Sequence, residues 1–378
     1  MKKNIKQRLK QGMTRGHVLS FITLALIIGI LGYLQATKIQ NSYTVTIIER
    51  SCIYAVAAVS MNMMIGFTGQ FSLGTAGFMC LGAYITGILT MPVTIRDQVY
   101  YLYGMAPWLH DLHLGLVPAL CIAGILGAIL AYLVGWPVLR LKSDYLAIAT
   151  LGFSEIVRAV LGWEGLGSIT NASYGLSNIP AFNSIFEVVI ICGICIGVMV
   201  LMIHSSYGRA FKAIRDNDVA AEAMGINLFH TKQLSFVVSS FFAAVAGGLM
   251  AVFLRSVATS TFHVSLTYNI LLMVVLGGVG SITGSIIGAF LVTCGQEWLR
   301  FLDQTYMIGT FQVPLLRTGF RMVVFSVLLM VVVLFWNKGI MGSYEWSWER
   351  IIKRFQKLGQ LPKKIKTKKP QKEGMGDE

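Results

Sequence analysis

Residues 184–254 contain two apolar runs separated by a polar segment: SIFEVVIICGICIGVMVLMI (184–203), SSYGRAFKAIRDNDVAAEAMGINLFHTKQ (205–233) and LSFVVSSFFAAVAGGLMAVFL (234–254). Each apolar run is long enough for a helix to cross a hydrocarbon core of about 30 Å. The polar segment combines charged residues with strong helix formers such as Ala and Glu. This stretch therefore predicts two membrane-spanning helices joined by a structured loop outside the membrane.

The composition places the whole chain in the same class. Of its 378 residues, 55% are hydrophobic and 13% are charged, and the mean hydropathy is +0.67, whereas a soluble domain carries about 25% charged residues. Apolar runs recur along the sequence and predict an all-α, polytopic integral membrane protein. The eight predicted full spans lie near residues 18–34, 46–66, 72–90, 115–138, 145–163, 184–203, 234–254 and 317–336.

The distribution of positive charge predicts the orientation of these spans. The net charge is +14, and 23 of the 31 Lys and Arg residues fall in four segments that can all lie on one side of the membrane. Because loops rich in Lys and Arg stay in the cytoplasm, we expect both termini and the 204–233 loop there. The same rule explains the excess charge without a nucleic-acid partner. The four segments are residues 1–15, Arg140 with Lys142, residues 204–233 and the residues from Lys338 onward.

If the basic end of the chain is cytoplasmic, the chain must enter and leave the apolar region 268–299 on the same side of the membrane. This region is short for two full spans, so we expect two short helices or a re-entrant hairpin broken near Gly277 and Gly278. The total is eight full spans plus this pair, or ten if the pair crosses. The predicted parts are a basic cytoplasmic N-terminus at 1–17, a transmembrane domain at 18–340 and a basic cytoplasmic tail at 341–378, lying on anionic lipid or disordered.

Motifs of enzymes and metal sites are missing from the sequence. It has no HExxH, GxSxG or Walker A pattern, and the cysteines lie in apolar runs, where we interpret them as packing residues. A proton-coupled carrier needs ionisable groups inside the bundle. One candidate is Glu49 beside Arg50, and the other is Glu155 three residues before Arg158. We interpret both as local ion pairs, so the energy source is expected in a partner.

Two glycine-rich segments interrupt apolar helices on the predicted cytoplasmic side. In residues 66–77, hydroxyl and amide side chains offer hydrogen bonds to a permeating solute, although a small-residue turn explains the pattern equally well. In residues 277–288, Gly280, Gly284 and Gly288 recur every four residues and predict a face on which helices approach closely. The candidate pathway residues are Thr68, Gln70, Ser72 and Thr75.

The polar loop has the features of a docking element. Asp216 or Asp218 can cap a short helix, and Gly225 provides its stop. Upstream, Phe211 and Ile214 share one face surrounded by basic residues, a pattern that suits docking into a groove of a soluble protein. The alternative is an amphipathic helix that lies at the lipid interface and binds no protein.

The loop sequence GRAFKAIRDNDVAAEAMGIN (208–227) resembles the coupling motif of ABC importer permeases and is similar to the LivM-type permease of branched-chain amino acid transporters. Two other stretches agree with that family, GFTGQFSLGTAGFMCLGAY (66–84) and LRLKSDYLAIATLGFSEIVR (139–158), the second followed by ITNASYGLSNIP (169–180). The resemblance covers roughly residues 45–340 in the same order.

This resemblance implies one of two homologous permease chains of an importer in a bacterial or archaeal plasma membrane. Two cytoplasmic ATPase subunits would bind ATP and magnesium, so this chain would need no cofactor of its own. An extracytoplasmic binding protein would deliver leucine, isoleucine or valine. The residues that couple to the ATPase would be Arg215, Ala220, Ala221, Glu222 and Gly225.

Three alternatives stay open at this point. Related permeases import urea or short amides, and no residue in this sequence reveals the solute. An ion-coupled secondary carrier is disfavoured because unpaired charge inside the spans is scarce. A channel or scaffold without coupling is disfavoured by the helix and stop signals of the loop.

Overall fold

The computed structural model describes most of the chain between Tyr43 and Gly342, and these residues belong to one compact unit. Helices are their main secondary structure, in agreement with the all-α prediction, and one pair of two-residue strands is also present. The predicted span at 18–34, the N-terminal part at 1–17 and the tail beyond 342 lie outside the described residues. The described ranges are 43–141, 143–299, 307–308, 311–312, 320–335 and 339–342.

The long helices follow the predicted apolar runs, and short helices and turns lie between them. Strands β1 (Met307–Ile308) and β2 (Phe311–Gln312) pair in antiparallel fashion. In chain order the α-helices of the described residues are α1 (Tyr43–Asn62), α2 (Thr75–Thr90), α3 (Val93–Val99), α4 (Pro107–His110), α5 (Leu116–Val138), α6 (Ser143–Leu161), α7 (Gly167–Thr170), α8 (Ile185–His204), α9 (Ser206–Asp216), α10 (Asp218–Ala223), α11 (Leu228–Leu254), α12 (Val264–Gly277), α13 (Ile282–Trp298) and α14 (Phe320–Phe335).

Four of the described helices are long and apolar enough to cross a membrane. They are α1, which continues through a π-helical turn to Phe67, together with α5, α8 and α11. Helix α6 is followed by a 59° bend into Glu164–Thr170, and this bent pair is a fifth candidate. Helices α2 and α12 are apolar but shorter.

Helix α11 is the core of the bundle, and small residues let it approach α2 closely. A Cβ atom added to Gly82 of α2 would lie 1.9 Å from the carbonyl oxygen of Ala244, and one added to Gly247 would lie 1.9 Å from that of Met79. These reciprocal contacts require glycine on each helix, as is typical of close packing between apolar helices. The core around them is aliphatic and aromatic.

Helices α12 and α13 extend along the bundle, and α13 packs antiparallel to α1. At one end of α1, Asn62 donates to the Ser285 hydroxyl at 2.7 Å, and at the other end the Tyr43 hydroxyl donates to the Glu297 carbonyl at 2.9 Å. At 1.5 Å per residue, α12 and α13 are about 21 and 26 Å long. Helix α13 therefore runs along the length of α1, and the two short helices predicted for this region are present with their break after Gly277.

The predicted glycine face of this pair is only partly realised. A Cβ atom on Gly284 would lie 2.5 Å from the Gly277 carbonyl oxygen, and one on Gly288 would lie 2.2 Å from the Met273 carbonyl oxygen. Both glycines therefore allow α13 to pack against α12. Gly280 is different, because it lies in the break between the helices with φ +85°, a conformation that glycine adopts without strain. Its contribution is to the turn and not to the helix face.

The segment after α14 closes the end of α12. The backbone N–H groups of Ile340 and Met341 donate to the carbonyl oxygens of Leu276 and Gly277 at 2.8 and 3.0 Å. Carbonyl groups at a helix C-terminus have no partner within the helix. The N–H groups of this segment therefore supply the hydrogen-bond donors that α12 lacks beyond its last turn.

The opposite end of the bundle, which we call the cap end, consists of residues 91–114 and 164–183. Its centre is Arg96, whose side chain is fully buried and donates six hydrogen bonds, all to backbone carbonyl oxygens. The Tyr100 hydroxyl donates to the Ile169 carbonyl at 2.6 Å and ties the two segments together. Burial lowers the pKa of Arg96, and the surrounding carbonyls stabilise its charge. The five acceptor residues are Ile88, Met91, Leu109, His110 and Leu112.

Candidate functional site

Three segments distant in sequence meet at the end of the bundle opposite the cap, which we call the loop end: residues 66–70, 204–227 and 278–281. Asn62 joins the first and third segments, since its Oδ1 accepts from the Gly280 N–H at 2.9 Å and its Nδ2 donates to the Ser281 carbonyl at 2.9 Å. A Cβ atom on Gly66 would lie 2.4 Å from the Gly280 nitrogen. The two glycine-rich breaks are therefore in direct backbone contact.

Helix α9 packs its apolar face against the bundle. Phe211 is fully buried and Ile214 is 4% exposed. Our prediction that these two side chains form an exposed docking surface is wrong, because the amphipathic face that the sequence indicates is turned inward. The exposed apolar side chains of the loop are instead Tyr207, Val219 and Met224.

Helix α10 begins and ends through local hydrogen bonds. Its N-cap is Asn217, whose Oδ1 accepts from the Ala220 N–H at 2.9 Å; the predicted caps Asp216 and Asp218 flank this residue, and neither is the N-cap. At the other end Gly225 has φ +83° and its N–H donates to the Glu222 carbonyl at 2.9 Å. This C-cap geometry is the one that favours glycine, so the predicted stop is correct.

The predicted coupling residues differ in exposure. Ala220, Glu222 and Gly225 are on the surface of the loop, whereas Ala221 is 4% exposed and faces the bundle. A Cβ atom on Gly225 would meet no atom within 4 Å. The exposed side of α10 is therefore small and open, and its backbone is accessible.

Arg215 connects this loop to the breaks in the bundle. Its Nη1 donates to the Gly66 carbonyl at 3.0 Å, while Nε and Nη2 donate to the Asp216 carboxylate at 3.1 and 2.9 Å. A Cβ atom on Gly280 would lie 3.2 Å from Nη1, and one on Gly69 would lie 3.3 Å from Arg215 Cγ. The planar guanidinium makes the hydrogen bonds to Gly66 and to Asp216 at the same time.

The predicted pathway residues are all buried, and they differ in their hydrogen bonds. Thr68 donates to the Met63 carbonyl at 3.1 Å and pairs with the Ser235 hydroxyl at 2.7 Å, so this side chain is satisfied within the protein. The Ser72 hydroxyl accepts from a neighbouring backbone N–H. Gln70 is 4% exposed, and neither its Nε2 nor its Oε1 has a partner among the described residues. Thr75 begins α2.

A cleft of about 700 Å³ opens at the loop end between Gln70, three leucines (Leu139, Leu141 and Leu146) and the start of α10. Its lining combines polar and charged groups with aliphatic side chains. Among the described residues no three His, Cys, Asp or Glu side chains are placed to hold a metal ion. The arrangement offers hydrogen bonds and charge to a solute.

A family model described as the permease component of branched-chain amino acid transport systems matches residues 43–335. The chain belongs to this family. The match contains every candidate coupling and pathway residue, and it confirms the resemblance that the sequence motifs indicate.

Individual relatives agree with the family. The chain is 29% identical over 299 residues to the high-affinity branched-chain amino acid permease LivM of Escherichia coli K12, covering 70% of this chain and 65% of that protein. It is 24% identical over 315 residues to the probable LivM of Methanocaldococcus jannaschii, covering 76% and 90%. It is 26% identical over 306 residues to LivH of Escherichia coli K12, covering 77% and 92%. No solved structure matches the chain.

The matched region thus spans 65% of the length of the Escherichia coli LivM protein, and the same fraction of its Salmonella typhimurium counterpart. Similarity to both LivM and LivH proteins places the chain within a family whose members include two types of permease.

The ionisable groups of the apolar helices are arranged partly as predicted. The pair of Glu155 and Arg158 is confirmed, with Arg158 Nε donating at 2.9 Å. The predicted pair of Glu49 and Arg50 is wrong, because Arg50 binds Glu297 of α13 at 2.7 Å. Glu49 instead lines a cavity of about 330 Å³ with Arg255. A partner 247 residues away leaves no local sequence signal.

Proposed function

We propose that this chain is a membrane permease subunit of an ATP-driven importer of branched-chain amino acids. The observation that carries the proposal is the geometry of the loop end. The exposed helix α10 directly follows helix α9, which is anchored to the bundle, and Arg215 near the end of α9 donates to the carbonyl of the Gly66 break. Movement of an outside partner against α10 would therefore reach the bundle core through a short, polar connection.

The proposed partners follow from the family. A second, homologous permease would complete the pore, two cytoplasmic ATPase subunits would contact α10, and an extracytoplasmic binding protein would deliver the solute. ATP and magnesium would be bound by the ATPase subunits, since this chain lacks a nucleotide-binding motif. The assembly would lie in a bacterial or archaeal plasma membrane.

We propose ten crossings with both termini in the cytoplasm. Nine described helices contribute, which are the four long spans together with α2, α6, α12, α13 and α14, and the apolar run at 18–34 supplies the tenth. The loop end is then cytoplasmic, in agreement with its basic residues, and the cap end faces the binding protein. Tags at either terminus should be accessible from the cytoplasm only.

In this proposal the solute passes beside the break at residues 66–75. Gln70 is the strongest candidate contact, because its amide is buried and has no hydrogen-bond partner in the part of the chain that the structure describes. Thr68, Ser72 and Thr75 would shape the passage through small polar surfaces and backbone. Alternating access would come from rocking of the permeases around these breaks, where irregular backbone lines a cavity.

The proposal is tested by deleting Asp216–Gly225 in the complete importer. We expect uptake of labelled leucine, isoleucine and valine to fall to background and the ATPase subunits no longer to co-purify, because the deletion removes α10 and its stop. Correct insertion is checked with a C-terminal fluorescent tag. Normal uptake by the deletion variant would reject coupling through this loop, and uptake of urea but not leucine by the intact importer would reject the proposed solute.

A further inference from the structure

The described lining of the cleft at the loop end combines aliphatic side chains, which we call the aliphatic wall, with polar ones, which we call the polar wall. Among the described residues the polar wall carries two basic and two acidic side chains. Pockets of this volume and mixed lining are typical of small-molecule sites. The aliphatic wall comprises Leu139, Leu141, Leu146, Ile214 and Val219, and the polar wall comprises Thr68, Gln70, Arg215, Asp216, Asn217, Asp218 and Lys232.

Gln70 is the feature of this cleft that points to a ligand. A buried amide without hydrogen bonds costs about 1–3 kcal/mol, and native proteins nearly always satisfy such groups. Gln70 is 4% exposed, its amide atoms have no partner in the described part of the chain, and it lines the cleft. A donor and an acceptor on one occupant would satisfy both atoms.

The charges of the polar wall favour a dipolar occupant. Among the described residues no carboxylate lies within ion-pairing distance of Lys232, and Asp218 uses one oxygen to accept from the Val219 N–H at 2.9 Å. Arg215 and Asp216 are already paired at 2.9 Å. An anion would meet two aspartates and a cation would meet two basic groups, whereas a zwitterion finds a partner for each of its charges.

We propose that the cleft binds a free α-amino acid with an aliphatic side chain from the cytoplasmic side, and that binding inhibits the importer. The carboxylate of the amino acid faces Lys232, its ammonium group faces Asp218, and its side chain lies against the aliphatic wall. The inference rests on the proposed function, because it assumes that α10 transmits the ATP-driven movement.

Inhibition follows from the position of the cleft. Gln70 belongs to the break in the bundle, whereas Val219 belongs to α10, so one occupant contacts both the proposed passage and the coupling helix. Because a ligand stabilises the conformation to which it binds, an occupied cleft holds these two elements together. Accumulated cargo would thus slow its own import.

The test uses the complete importer in proteoliposomes with its ATPase side facing the bath and loaded binding protein inside. L-Leucine added to the bath should lower the rate of ATP hydrolysis at least threefold at saturation. Leucinamide, which lacks the carboxylate, and N-acetyl-leucine, which lacks the ammonium group, should have no effect. Inhibition by all three compounds, or by none, would overturn the inference.

A pair of lysine variants locates the site. Lys232→Met should raise the leucine concentration needed for half-inhibition about tenfold, which corresponds to the loss of one charged hydrogen bond. Lys212→Met is the matched control, because Lys212 lies over the Phe67 ring at 5.6 Å and does not line the cleft. Each inhibition curve is scaled to the variant's own uninhibited rate. An equal shift in both variants would contradict the assignment.

A labelling measurement gives a readout that is independent of activity. In a background in which the exposed Cys121 and Cys294 are serine, Leu141→Cys is treated with a membrane-impermeant maleimide from the bath. Leucine should slow labelling at this position, which lines the cleft, and leave Tyr207→Cys unchanged. Unchanged labelling at both positions overturns the inference even if uptake is normal, whereas an intact importer that takes up no leucine rejects the proposed function itself.

Discussion

The cap end and the loop end of the bundle differ in whether their buried polar side chains have hydrogen-bond partners. At the cap end Arg96 is fully buried and every observed hydrogen bond of its guanidinium goes to a backbone carbonyl of the surrounding turns. At the loop end the buried Gln70 amide has no partner among the described residues, and Arg215 donates to the bundle at the Gly66 carbonyl. A satisfied polar network makes a region rigid, whereas a partly satisfied one leaves alternative arrangements within reach. The comparison indicates a fixed platform at one end and a movable junction at the other.

The largest effect is expected at the platform. Arg96→Met should lower the free energy of unfolding by at least about 3 kcal/mol, because it leaves several buried carbonyl oxygens without donors. The measurement is denaturant unfolding of the purified chain in detergent micelles. The matched control is Arg209→Met at the loop end, where the exposed guanidinium donates to the Ser206 hydroxyl, and it should cost less than about 0.5 kcal/mol. Equal losses would remove the contrast between the two ends.

A methyl group at the junction should have the next largest effect. In Gly66→Ala the new Cβ would lie 2.0 Å from Asn62 Oδ1 and 2.4 Å from the Gly280 nitrogen, so the two breaks must separate at a cost of about 1–3 kcal/mol. We expect uptake to fall at least tenfold. The control is Gly193→Ala in α8, where no atom lies within 4 Å of the added Cβ and helix propensity predicts a small gain in stability. A Gly66→Ala importer of normal rate would show that the contact is not needed.

A conservative change at Arg215 separates stability from coupling. Arg215→Lys should alter the free energy of unfolding by about 1 kcal/mol or less, since the contact is partly exposed. A lysine ammonium cannot hold Gly66 and Asp216 with the same planar geometry, so uptake per ATP hydrolysed should fall several-fold. The ratio is measured with labelled leucine and released phosphate in the same vesicles. An unchanged ratio would mean that Arg215 only anchors α9.

The smallest effect concerns pH at the cap end. His110 lies 3.3 Å from Asp97 and 3.2 Å from Asp111, and the hydrogen bond to Asp111 raises the pKa of His110 above its usual value. A raised pKa means that the protonated histidine stabilises the fold. Its contribution is complete below the pKa of the unfolded chain, about 6.5, and is lost as the pH rises through the higher folded value.

The pH prediction is checked by melting curves across this range. The intact chain should lose a small part of its thermal stability as the pH rises past 6.5 or so, and His110→Asn should remove that part. His113→Asn serves as the control, because the described residues show no ion pair for His113. A pH dependence that survives in the His110 variant would assign it to another group.

Features decided by short-range geometry were predictable from the sequence. The apolar runs predict most described helices, and the stop at Gly225 follows because a positive φ favours glycine at a helix end. The residue that caps α10 was less certain, since Asp216, Asn217 and Asp218 are all good N-caps. Only the backbone path decides which of three neighbours has extended geometry.

Features that depend on distant contacts were not predictable. The spacing of Phe211 and Ile214 gives an apolar face, but it does not say whether a partner or the bundle covers that face. A lone arginine in an outer loop normally indicates a solvated side chain, so nothing near Arg96 in the sequence reveals the carbonyl groups that surround it. The bond between Arg50 and Glu297 was not predictable either, because the two residues are far apart in the sequence.

The closure of α12 by residues 340 and 341 has a consequence for how the protein is made. The carbonyl groups of Leu276 and Gly277 leave the ribosome well before Ile340 and Met341, which donate to them, and synthesis adds about 5–20 residues per second. For several seconds during synthesis, the C-terminal carbonyl groups of α12 therefore lack these two donors. A polypeptide that stops before Gly339 would lack both donors and would keep the carbonyl groups of Leu276 and Gly277 without these partners.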